Sequence, residues 1–127
     1  MSDKIQDITL LPDHICQIVN AAQDKKAFDI LVLSLQGPST FTDYFIMCSA
    51  TSTRQVKAVV EGIEQALKTV QHPLSHIEGY ENGKWVLMDI FDLVIHVFTP
   101  DTRRFYDLER LWGNALRIKI PEVPFPY

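Results

Sequence analysis

The sequence predicts an α/β fold: one domain with a mixed β-sheet of about five strands and flanking helices. Three observations carry this reading. Apolar residues recur at helical spacing over residues 11–22 and 56–70, and short aliphatic or aromatic runs of strand length lie between and after them. The order helix, strand, strand, helix, three strands, helix leaves only the longer helical connection to serve as a parallel crossover. At 127 residues, 46% hydrophobic and 22% charged, the chain suits a single core, burying roughly two thirds of its unfolded surface.

Residues 1–9 read as a loose lead-in, 10–116 as the α/β domain and 117–127 as a Pro-rich tail. Pro12 suits a helix's first turn, and Leu11, Ile15, Ile18, Val19 and Ala22 follow on one face. Lys25 and Lys26 complement the dipole at its end. Residues 29–35 then read as a buried strand, and Gly37-Pro38-Ser39 as the turn out of it. Residues 44–48 form a second strand. Ser52 with Gln55 makes a capping box ahead of Val56, Val59, Val60, Ile63, Leu67 and Val70, and His72-Pro73 ends that helix.

A short strand over 76–80 and the turn Glu81-Asn82-Gly83-Lys84 lead into a strand opening at Trp85. Its alternation sets Trp85, Leu87 and Asp89 on one face and Val86, Met88 and Ile90 on the other. One face covers a core, and the other is open to a partner. A break or bulge at Phe91-Asp92 precedes a strand over 93–98. Thr99 then caps a helix with Pro100 at its first position and an apolar stripe of Phe105, Leu108, Leu111, Trp112 and Ala115. Beyond Arg117, the prolines at 121, 124 and 126 cannot continue a helix.

Several function classes lack support. A net charge of −4 and a pI near 5.5 argue against direct nucleic-acid binding, which rests on clustered Lys and Arg. They suit a basic protein partner better. Cys16 and Cys48 are solitary, so no disulfide scaffold or structural zinc site is expected, and the reducing cytosol is the expected compartment. No run approaches the roughly 20 apolar residues of a membrane span. Asp89 and Asp92 invite a metal-dependent nucleotidyltransferase reading, but three-residue spacing on an ordinary strand sends them to opposite faces. His96 and Cys48 lie in apolar runs without a third group to orient the imidazole. His14, His72 and His76 show no metal-ligand spacing. No catalytic residue, metal or cofactor is expected.

A string of separated motifs does carry a resemblance. Asp24-Lys-Lys-Ala27 with Asp29-Ile30, Thr42-Asp-Tyr-Phe45, Thr51-Ser52 with Arg54-Gln-Val56, and Glu78-Gly79 come in order. Trp85-Val86 with Asp89, Asp92 with His96, and Arg103 leading to Tyr106-Asp-Leu-Glu109 and Leu111-Trp112 follow. In this order they resemble the ribosomal silencing factors, also called Iojap-like proteins, over about residues 24–112. Phe91 departs from the pattern, since the family commonly has glycine there. The resemblance implies a fold similar to nucleotidyltransferases without their active site. It also implies a non-catalytic role: binding large-subunit ribosomal protein number fourteen (bacterial L-fourteen) at the intersubunit face, blocking small-subunit joining and repressing translation under nutrient limitation.

On this reading the partner surface draws on Trp85, Met88, Asp89, Ile90, Arg103 and Tyr106. Trp85 is the anchor, because a large rigid side chain fills a pocket at low entropic cost. Arg103 with Asp107 and Asp107 with Arg110 are expected ion pairs on the last helix. Asp43 and Tyr44 are expected to brace the sheet. The same apolar face could also serve a homodimeric scaffold.

Overall fold

The computed structural model describes residues 11–35, 42–72, 74–90, 92–112 and 115–120. The lead-in over 1–9, the turn at Gly37-Pro38-Ser39, Phe91 and the prolines from 121 onward lie outside them. In chain order the elements are α1 (Asp13–Asp24), β1 (Phe28–Ser34), β2 (Tyr44–Ser49), α2 (Thr53–Thr69), β3 (Leu74–Glu78), β4 (Trp85–Ile90), β5 (Leu93–Phe98) and α3 (Pro100–Tyr106). A 3₁₀ helix (Leu108–Trp112) and β6 (Leu116–Lys119) complete the fold.

The strands form one six-stranded sheet in the order β3-β4-β5-β2-β1-β6. Five strands were expected. The sixth, β6, lies where the sequence suggested a tail, pairing antiparallel with β1 so that Val32 faces Ile118. Its four residues alternate apolar and basic, too short a run to stand out beside the prolines that follow. Ile118 and Ile120 are buried. Among the described residues only β2 and β5 run parallel, in register from Tyr44↔Leu93 to Ser49↔Phe98; the other four pairings are antiparallel. The helical crossover between those two strands is α2, as expected, followed by the β3–β4 hairpin.

Both long helices cover one face of the sheet. Ile15, Ile18, Val19 and Ala22 of α1 and Val56, Val59, Val60, Ile63 and Leu67 of α2 pack on Val32, Ile46, Cys48, Val86, Met88, Ile90, Ile95 and Val97. The periodicity that marked these helices thus marks their buried stripes. At the start of α2 the Ser52 hydroxyl accepts from the Gln55 amide N–H at 3.1 Å. The Gln55 side chain does not close the box; its amide donates to the Lys25 carbonyl, tying α2 to the end of α1. α2 ends in a Schellman arrangement, with His72 N–H donating to Leu67 O at 2.9 Å and Gln71 left-handed at φ 57°.

The opposite face carries a smaller core of Leu31, Leu33, Leu35, Phe45, Met47 and Phe98, with Trp85, Val94, Leu108 and Ala115 packed at its margin. The last helix is shorter than its apolar spacing suggests. Asp107 adopts the left-handed conformation (φ 48°, ψ 49°), ends α3 and starts the 3₁₀ helix. Aspartate tolerates that geometry better than most residues. The break defeats the stripe: Phe105 is 79% and Leu111 72% exposed. Thr99 occupies the N-cap position, yet its hydroxyl meets that of Thr102 at 2.9 Å instead of capping a backbone amide.

Candidate functional site

The alternation along β4 decides which residues face outward. Trp85, Leu87 and Asp89 are partly exposed on the face away from α1 and α2, whereas Val86, Met88 and Ile90 are buried beneath those long helices. Met88 (0% exposed) and Ile90 (1%) are therefore core residues and not surface candidates. Strand parity cannot show both sets to one partner.

Trp85 begins β4 next to the hairpin, and its position rests on Gly79. That glycine has φ +84°, and a Cβ there would stand 2.2 Å from the Trp85 carbonyl oxygen. The indole stacks on Phe98 (centroids 5.3 Å apart, 29° between planes) and leans on Tyr106 at 4.8 Å. Its Nε1–H donates to His96 Nδ1 at 3.0 Å. Because Nδ1 accepts, the proton of the neutral ring sits on Nε2. Burial pushes the His96 pKa down from 6.5 to about 4, keeping the imidazole neutral at pH 7.

Tyr106 is 51% exposed and meets Phe105 edge-on at 4.9 Å. Trp85, Tyr106 and Phe105 thus form a continuous aromatic ridge from β4 onto α3. Beside it Asp89 lies opposite His76 of β3 and Val94 of β5, and Glu78 lies opposite Leu87. Glu78 and His76 pair at 2.8 Å. The ridge therefore has carboxylates along its β3–β4 flank.

Arg103 has an internal role instead of the expected place on the rim. Its guanidinium donates to Asp29 O (2.7 Å), Ser49 Oγ (3.0 Å) and a Glu109 carboxylate oxygen (2.8 Å). It bonds Glu109 and not Asp107, because the left-handed turn removes the helical spacing that would align the latter pair. Arg110 and Asp107 do approach, at 3.7 Å. Asp43 braces the sheet: its N–H donates to Asp92 O and its carbonyl accepts from Leu35 N–H.

The two constellations that suggested chemistry are separated by the sheet. His96 lies opposite Met47 on the side away from α1 and α2, whereas Cys48 faces those helices, fully buried, with its thiol pushed up to about 12 by burial. Asp89 and Asp92 also part. Asp89 points to the side away from α1 and α2, while Asp92 meets His14 and His72. That last grouping went unread in the sequence, where the three residues stand far apart.

Ridge and fold together define a class: a helix-backed α/β sheet with an aromatic, acid-flanked surface on its uncovered side. The chain belongs to the ribosomal silencing factor family, since residues 10–126 match the family described as "Ribosomal silencing factor during starvation". It is 38% identical to the ribosomal silencing factor RsfS of Halalkalibacterium halodurans over 105 residues, 83% of this chain and 90% of that protein. It is 41% identical to the Bacillus subtilis protein of the same name over 95 residues, 75% and 80% of the two chains. A crystal structure from Chromobacterium violaceum superposes with a TM-score of 0.77 at 30% identity, covering 95% of each chain. Among the described residues no helix is long and apolar enough to cross a membrane.

Proposed function

We propose that this protein represses translation in the cytoplasm as a ribosomal silencing factor that turns over no substrate. It docks through the Trp85 ridge on large-subunit ribosomal protein number fourteen, and its bulk occupies space the small subunit needs. The observation that carries the reading is the ridge itself: exposed Phe105 and Tyr106 run together with partly exposed Trp85, flanked by Asp89 and Glu78. Exposed aromatics at the centre of a patch act as anchors, and flanking carboxylates favour a basic ribosomal partner. Asp92 faces away from Asp89 and takes no part in the ridge.

The test is cosedimentation with isolated large subunits. Trp85→Ala removes the anchor and weakens binding by about 2 kcal/mol or more. Because Trp85 also supports Phe98 and His96, Tyr106→Ala and Phe105→Ala serve as variants at exposed positions, and each lowers affinity in a fold that stays intact by circular dichroism. Unchanged cosedimentation of all three would remove the ridge from the interface. A concentration-dependent dimer, broken by the same substitutions, would assign the ridge to self-association instead.

A further inference from the structure

We propose that His14, His72 and Asp92 form a binding site for a divalent transition metal of the Zn²⁺ class, on the side of the sheet away from the aromatic ridge. The proposal is independent of ribosome docking. The donor atoms are His14 Nε2, His72 Nε2 and the Asp92 carboxylate, all within 4.8 Å of one another. His14 Nε2 lies 3.1 and 3.0 Å from the two Asp92 oxygens, and His72 Nε2 lies 3.5 Å from one of them. Zn²⁺ binds nitrogen and oxygen at about 2.0–2.2 Å, so neighbouring ligands around one ion stand roughly 3 Å apart. The separations of both histidines from Asp92 match that spacing.

Three features make this a built site. Each ligand comes from a different segment with its own anchored backbone. His14 sits in the first turn of α1, next to Ile15, whose side chain is fully buried and whose N–H bonds Pro12 O. His72 is the last residue of the Schellman arrangement closing α2, and the Asp92 carbonyl accepts from the Asp43 and Tyr44 amides. The two imidazoles also face each other, with centroids 4.2 Å apart, and turn their Nε2 atoms toward the same carboxylate. Finally, His72 Nε2 is buried without a hydrogen bond, although it is directed at the cluster. A buried polar atom left in that state is costly, and a metal would use its lone pair.

Donor chemistry sets the class of ion. Two imidazoles and one carboxylate suit Zn²⁺, Co²⁺ or Ni²⁺, whereas Mg²⁺ and Ca²⁺ prefer oxygen ligands. With three protein ligands, a water completes a tetrahedral shell. Such an ion would clasp the start of α1, the end of α2 and the β4–β5 turn. This departs from the sequence reading, which looked for ligands at short spacing.

The full chain, free of any affinity tag and stripped with chelator, is titrated with Co²⁺ followed by absorption and with Zn²⁺ followed by calorimetry. One ion per chain is expected, with visible Co²⁺ bands that Zn²⁺ abolishes and Mg²⁺ leaves in place. His14→Gln and His72→Gln each weaken binding at least about tenfold, while His76→Gln, at an exposed position paired with Glu78, changes nothing. Absence of saturable one-to-one binding to the unmodified chain overturns the site, with no variant needed. Binding that survives both substitutions in folded protein overturns it equally.

Discussion

His96 shows how one side chain can serve a surface it barely reaches. It is 4% exposed, neutral, and committed at Nδ1 to the Trp85 indole, so the orientation of that indole depends on an imidazole that must stay unprotonated. The folded pKa lies below the unfolded value. Above about pH 6.5 both states are neutral and the contribution to stability is complete; as pH falls from 6.5 toward 4 the unfolded chain takes up the proton first and stability is lost. The shift amounts to about 3 kcal/mol at most. Urea denaturation between pH 7 and pH 4.5 should therefore show a loss that His96→Asn largely removes, since Asn has no proton to gain. That Trp85 opens a strand after a turn was legible in the sequence. Its coupling to His96 was not, because it depends on the two strands being antiparallel neighbours.

At the level of elements, the sequence was read well wherever one period ran unbroken. The stripes of α1 and α2 and the alternation of β4 all recur as burial patterns. It was read poorly where a backbone break interrupted the period. The left-handed Asp107 ends α3 early, and Asp29, left-handed at φ 51°, accompanies a shift of register in β1. Neither residue is glycine, so neither carries a sequence signal as strong as Gly79 does. That glycine gives the element-scale prediction. Gly79→Ala combines positive φ with a clash against the Trp85 carbonyl, and should destabilise the fold by more than about 1 kcal/mol. It should also weaken large-subunit binding, although residue 79 is not part of the ridge. Thermal denaturation and cosedimentation of the one variant read both effects.

The whole molecule has two unlike faces. Covering one side with α1 and α2 leaves the other with a small core and an aromatic margin, and the proposed silencing by occupancy draws on this asymmetry. If inhibition is by occupancy, it follows mass action. Adding isolated small subunits should therefore raise the factor concentration needed for half-inhibition of joining, by an amount light scattering can measure. Inhibition that persists after the factor is washed away would instead require lasting modification of the ribosome. The alternation along β4 was open to sequence reading, but which of its faces is outward was not. The histidine-carboxylate cluster and β6 were not, since both arise from chain segments that meet only in the finished topology.

The lone parallel ladder between β2 and β5 also has a kinetic consequence. It is a seam joining β1–β2 to β3–β4–β5, each of which can zip up between neighbours in sequence. Stitching them requires the intervening chain to loop back, an entropic toll levied before any reward arrives. The seam should accordingly be late to close on refolding, after both hairpin groups have taken shape.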